Sequence, residues 1–308
     1  LLWQHLFWFL AHPEVYVLIL PALGIVAEII ANNTRKPLWG YRSLVYATIF
    51  LGFMSFIVWA HHMFLTGMGT AISAFFQTTT MIISIPSVII ITALVISLWG
   101  GSIRFTVPML FALAFLPMFA IGGLTGLFLA AAGLDVHLHD TYFVVAHFHY
   151  IMVGGTIMMY LGGLHYWWPK IFGKLYHEGL ARVSAVVIFI GFNLTFFPQF
   201  IVGYLGMPRR YHAYPPEFQL WNILSSAGAV ILAVGYAMPT FYLLYSLLKG
   251  KAAPANPWGA KGLEWETSSP PPTLSTWSPI VWCEESRAWP IEASVSEVVK
   301  PNGSSGLR

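Results

Sequence analysis

The sequence predicts an all-α protein, a polytopic bundle of transmembrane helices, and three observations lead there. Hydrophobic residues fill 57% of the 308 positions and charged residues only 9%, far too little polar surface to cover a soluble globule. The apolar residues gather into runs of about 20 or more, the length a helix needs to cross a hydrocarbon core. Lysine and arginine fall mainly in the connectors and collect on alternate ones. Scattered in this way they form no basic patch, which argues against nucleic-acid binding. Cys283 is the only cysteine, so no intrachain disulfide or thiolate cluster can form, and a bound metal must rely on histidine and oxygen ligands.

Taken in order, the runs predict seven spans, at about 5–31, 43–65, 72–99, 106–133, 142–168, 181–206 and 219–248. Connectors such as Asn32-Asn33-Thr34-Arg35-Lys36-Pro37, Gly100-Gly101-Ser102 and Pro215-Pro216 break the helices between them. Short cytoplasmic loops are enriched in cations. Arg35, Lys36 and Arg42, Arg104, then Lys170, Lys174 and Arg182, and finally Lys249 and Lys251 therefore mark the cytoplasmic side. The opposite loops, 66–71 and 134–141, hold neither lysine nor arginine. Arg209 and Arg210 break the pattern, and two guanidiniums on the cation-poor side call for an anionic partner. The chain thus divides into a membrane bundle, residues 1–249, and a largely irregular cytoplasmic tail, residues 250–308, rich in Pro, Gly, Ser and charge. Leu1 to Leu10 lack the features of a signal peptide and Leu1 is not a start methionine, so the chain is expected to be a fragment or a processed half.

Ionisable groups inside apolar spans are costly and mark function. Here they are histidines, with Glu14 and Glu28 the only carboxylates in the expected spans. His12-Pro13-Glu14-Val15-Tyr16 packs an imidazole, an acid and a phenol into little more than one turn. At about 100° per residue, Tyr16 returns to the face of His12. His147 and His149, two apart, project to nearly opposite sides of one helix and suit two flanking cofactors rather than one shared metal. His61 and His62 diverge by about 100° and can share a metal only in the notch facing both, with His12 as a third ligand from another helix. Neutral imidazole is the ligand for iron or copper that needs no compensating charge in lipid. His5 and His165, each alone, read as helix-to-helix hydrogen-bond partners.

Together His12-Pro13-Glu14-Val15-Tyr16, Trp59-Ala60-His61-His62-Met63-Phe64, His139-Asp140-Thr141-Tyr142 with His147-Phe148-His149-Tyr150, and Met207-Pro208-Arg209-Arg210-Tyr211 resemble the catalytic subunit I of the heme-copper oxidases, and within them cytochrome c oxidase. The resemblance runs in order from the first residue to about Pro272. It implies that His12, His61 and His62 bind the copper CuB, and that Tyr16 is cross-linked to His12 as a proton and electron donor to dioxygen. It implies that His147 is the axial ligand of a high-spin heme and His149 of a low-spin heme, both of heme a type. Arg209 and Arg210 would pair with heme propionates, and His139 and Asp140 match a magnesium or manganese site. Glu14 matches the acid that delivers protons to the dioxygen site and the pump, a role open to a carboxyl kept neutral by low-dielectric surroundings.

Matched helix by helix, the seven spans correspond to the sixth through twelfth of a twelve-helix subunit. The resemblance therefore implies a companion chain or missing segment supplying helices one to five, with oxidase subunits II and III as partners. The donor is cytochrome c or, alternatively, quinol, and the setting is lipid, in the bacterial plasma membrane. One proton route departs from the family: its usual lysine falls at Ile90 and a usual serine at Ala27. Thr80, Ser84 and Ser87, at spacings of four and three, line one helical face and offer a substitute hydroxyl chain toward Tyr16. A heme-binding scaffold without catalysis is the rival from another class, and the complete imidazole triad argues against it.

Overall fold

The computed structural model describes residues 1–272; Cys283 and the rest of the expected tail lie outside them. Among the described residues the chain is helical, with short irregular connectors and no strand longer than an isolated bridge. The first helix, α1 (Leu2–Thr34), carries Pro13 and Pro21 within it and ends where Arg35 turns to a left-handed φ of 57°. After α2 (Tyr41–Met54) come a tight 3-10 turn, Trp59–Met63, then α3 (Thr70–Ile82), α4 (Ser84–Leu98) and α5 (Val107–Ala130). The short α6 (Ala132–Leu138) leads to α7 (Tyr142–Ile151), a π-helical segment Met152–Ile157 and α8 (Met158–Phe172). Two long helices, α9 (Glu178–Tyr204) and α10 (Gln219–Lys249), complete the bundle.

Among the described residues six helical stretches are long and apolar enough to cross a membrane, not seven. The expected span at 43–65 is the difference. Its α-helix, α2, has 14 residues, about 21 Å at 1.5 Å per residue, against a hydrocarbon core of about 30 Å. The chain then breaks and rewinds as the 3-10 turn that carries His61 and His62. The expected span at 72–99 is divided only by Ile83, whose own φ and ψ stay helical, between α3 and α4. The expected span at 142–168 passes through the π-helical segment a few residues beyond His149, and such segments often occur at functional sites.

The core is aromatic and aliphatic: Phe111, Phe115, Phe192, Tyr150, Tyr166, Ile29, Ile30 and Ile90 are all fully buried. α9 packs along α10, α7 wedges between α5 and α9, and α1 lies against α8 and the 3-10 turn. α7 and α9 meet where Gly203 faces the start of α7. A Cβ there would stand 1.8 Å from the amide nitrogen of Phe143, so only glycine permits the approach.

Each end of the bundle is stitched. On one, Ser102 and Arg104 donate their amides to the carbonyls of Thr34 and Asn33, and Leu175 donates to Lys251. On the other, Tyr142 donates to Met207 and Arg209 to Asp140. The described part of the tail, 250–272, is irregular but packed. Lys170, only 4% exposed, donates to the carbonyls of Ala255, Thr267 and Ser268. Trp258 donates to the carbonyl of Tyr166, and Trp265 is buried against the Tyr166 ring. A buried ammonium needs acceptors, and the tail backbone supplies them.

Candidate metal centre

α1 and the 3-10 turn bring His12, His61 and His62 together. One potential ligand atom from each lies within 4.8 Å of the others. His12 Nδ1 is 3.2 Å from His62 Nε2, and His61 Nε2 is 3.1 Å from the same atom. His61 and His62, adjacent on the 3-10 turn, bring their Nε2 atoms together at 3.1 Å. Among the described residues this is the one such group of three.

The rings around the trio are ordered. Tyr16 stands one turn beyond His12, ring centroids 4.9 Å apart. Trp8, one turn before it, stacks flat on His62 at 3.7 Å and 13°. The sequence reading missed Trp8, although the i, i+4, i+8 spacing of Trp8, His12 and Tyr16 was there to be read. His61 Nδ1 lies 3.1 Å from the Thr80 hydroxyl. Glu14 is exposed on α1, a helix long and apolar enough to cross a membrane, and among the described residues no neighbour covers the carboxylate.

His147 and His149 face different neighbours, as their spacing predicts. His147 lies against α5, with Nδ1 2.9 Å from the Gly122 carbonyl and 3.3 Å from the Thr125 hydroxyl. A Cβ on Gly126 would come within 2.9 Å of its ring, so α5 accepts the imidazole only through glycine. Gly122, Thr125 and Gly126 went unnoticed in the sequence, where Gly122-Gly123-Leu124-Thr125-Gly126 was the available signal. His149 bonds through Nδ1 to the carbonyl of Val145 at 2.7 Å and stacks on Phe196 of α9. In both rings Nδ1 is committed, and among the described residues Nε2 has no hydrogen-bond partner.

His5 and His165 behave as packing residues. His5 accepts from the Trp59 indole. His165 bonds Leu161 through Nδ1 and Tyr242 through Nε2.

At the cation-poor end, His139 and Asp140 each pair with another side chain of the chain. His139 Nδ1 pairs with Asp135 at 3.1 Å, and that bond raises the His139 pKa against the opposing cost of burial. Asp135 was passed over in the sequence despite its i, i+4 spacing from His139. Asp140, at a left-handed φ of 54°, binds Arg209 at 2.6 Å and sits 3.7 Å from Arg210. At least one anion that these arginines called for therefore lies within the chain.

Such a fold and site define a membrane-embedded helical bundle organised around a candidate metal centre. The family model for cytochrome c and quinol oxidase polypeptide I matches residues 1–231, and the chain belongs to that family. It is 47% identical over 274 residues to cytochrome c oxidase subunit 1 of Bacillus subtilis, covering 88% of this chain and 44% of that protein. It is 45% identical over 283 residues to the subunit 1 of a Synechocystis strain, covering 91% and 51%. The alternative cytochrome c oxidase subunit 1 of Bradyrhizobium diazoefficiens is 46% identical, with 92% and 49% covered. The chain thus spans about half the length of these relatives. A heme-copper terminal oxidase dimer solved by cryo-electron microscopy shares the fold, with a TM-score of 0.76 at 22% identity, over 93% of this chain and 55% of that one.

Membership of the family implies heme and copper. The residues present fit both. Three imidazole nitrogens converge, and His12 Nε2 is buried with no hydrogen-bond partner, a costly arrangement for a polar atom that metal coordination would relieve. His147 and His149 carry the outer Nδ1 bonds that orient a ligating histidine and leave Nε2 free to coordinate.

Proposed function

We propose that the chain is the catalytic part of a respiratory terminal oxidase that reduces O₂ to water with four electrons and couples this to transmembrane proton translocation. The observation that carries the reading is the convergence of His12, His61 and His62 within 4.8 Å, on a chain whose relatives are named cytochrome c oxidase subunit 1. Copper at the trio and hemes at His147 and His149 would supply the electron transfer and the binding of dioxygen.

The chain's own residues hold and orient. Thr80 and Trp8 fix His61 and His62; Gly122 and Val145 fix His147 and His149 by their carbonyls. Tyr16, beside His12, is the phenol placed to give a proton and an electron at the site, and a Tyr16–His12 cross-link is compatible with their rings lying one turn apart. Glu14 is the proton donor on the other side of α1, and its exposure here calls for cover from lipid or a partner. Arg209 and Arg210 hold heme propionates, with Arg209 shared between a propionate and Asp140. A magnesium or manganese ion at His139 and Asp140 would need further oxygen ligands, since Asp140 is already engaged by Arg209.

The family resemblance implies hemes of heme a type, and the relatives' names favour cytochrome c as the donor. Subunits II and III and a chain or segment supplying helices one to five complete the complex. It sits in a bacterial plasma membrane with the tail on the cytoplasmic side. Ile90 is fully buried and Ala27 is 7% exposed, both within the main apolar cluster, which supports the reading that the lysine route is absent. A purified complex containing this chain is expected to consume O₂ when supplied with reduced cytochrome c, at four electrons per O₂. No O₂ consumption with either reduced cytochrome c or a quinol overturns the proposal.

A further inference from the structure

Thr80 meets His61 at the edge of the imidazole trio, and its hydrogen-bond inventory decides what it can do there. The residue is 8% exposed, on α3. A threonine hydroxyl has one proton to give and lone pairs to accept with. Its oxygen lies 2.6 Å from the Phe76 carbonyl, one turn back on the same helix, and 3.1 Å from His61 Nδ1. A carbonyl can only accept. Were the hydroxyl proton turned toward His61, two oxygens would face each other at 2.6 Å with no proton between them, an arrangement that electrostatics opposes. The proton therefore goes to Phe76, as threonines in helices commonly arrange it, and the oxygen must accept from His61.

We propose that Thr80 is a positioning residue for the metal centre, holding His61 with its proton on Nδ1 so that the lone pair of Nε2 points into the space shared with His12 and His62. The inference rests on the copper reading above and deepens it. Among the described residues, His61 is the only one of the three with a ring nitrogen bonded outside the trio: His12 Nδ1 faces His62, its Nε2 is unpaired, and His62 Nε2 faces both partners. One ring with a fixed tautomer gives the site one ligand nitrogen already set in orientation and protonation, and such outer bonds are worth about 10–100-fold in metal affinity.

Of the hydroxyls at Thr80, Ser84 and Ser87, those of Thr80 and Ser87 each donate to a backbone carbonyl. Thr80 gives its proton to Phe76 and Ser87 gives its own to Ile83, at 3.1 Å. Both spend their protons on their own helix. In this arrangement Thr80 orients a ligand rather than passing a proton.

The test uses the whole purified complex. Copper-to-heme ratios are followed during timed exposure of the reduced protein to bathocuproine, a copper(I) chelator, for the unmodified chain and for Thr80→Val, Thr80→Ala and Thr80→Ser. Val and Ala remove the hydroxyl; Ser keeps it. The expected result is that Val and Ala lose copper about 10–100-fold more readily with heme absorbance unchanged, while Ser behaves as the unmodified protein. Equal copper retention in all four proteins overturns the inference. So does loss of heme together with copper in both Val and Ala, which would assign Thr80 a general packing role. An unmodified complex with hemes and no copper at the trio fails the copper reading itself, a separate outcome.

Discussion

His149 and His165 stand at the two ends of one long helical run, and their anchoring is the same. Each bonds through Nδ1 to the carbonyl four residues back at 2.7 Å, Val145 for one and Leu161 for the other. The difference lies at the far nitrogen. His165 Nε2 meets the Tyr242 hydroxyl at 2.5 Å, whereas His149 Nε2 has no partner among the described residues. A buried histidine that satisfies both nitrogens within the protein is packing; one that secures Nδ1 and leaves Nε2 open is prepared for a ligand. His147 belongs with His149, and His61 shares the Nδ1 anchoring while its Nε2 turns toward His62; His147 and His61 are each held at Nδ1 by the oxygen of a neighbouring helix.

The sharpest way to break this comparison is to delete each ring. His149→Ala is expected to abolish binding of one of the two hemes, read as a halved heme content in the purified complex. His165→Ala is expected to keep both hemes and to cost about 1–3 kcal/mol of stability, because it leaves the Tyr242 hydroxyl buried without its acceptor. Equal heme content in the two variants would erase the distinction.

A smaller effect concerns His139, whose ring is paired with a carboxylate rather than with a carbonyl or hydroxyl. His139 has its pKa raised by Asp135. A raised folded pKa means stabilisation that is fully present below the unfolded value of about 6.5 and lost as pH rises through the folded value. Asp135→Asn is therefore expected to lower thermal stability at pH 6 by about 1 kcal/mol, and by less at pH 8.5. A loss independent of pH would show that the pair acts through packing rather than charge.

The same contrast explains what was legible in the sequence. Helical membrane class, most span positions and the opposite projection of His147 and His149 follow from apolar length and helical periodicity, which are local properties. The break after α2 was not legible, because residues 43–65 contain no proline and no Asp, Glu, Lys or Arg, and a 3-10 turn leaves no mark on hydropathy. Glu14 faces away from the described residues on α1, and which face of a helix a side chain takes depends on its place in the 3.6-residue turn rather than on apolar neighbours in sequence. Asp135, Trp8 and Gly126 act through contacts with residues far along the chain or one turn away. Their residue types carried no signal alone. Nor could the packed stretch 250–272 be foreseen, since its hold on Lys170 uses backbone carbonyls that every sequence possesses.

The central claim is that His12, His61 and His62 form a copper centre. X-ray absorption at the copper edge of the purified complex, with and without His12→Ala, tests it most directly. The unmodified protein is expected to show a copper bound by three imidazole nitrogens, and His12→Ala to lose that copper while keeping both hemes. An identical copper signal in the two proteins would contradict the account.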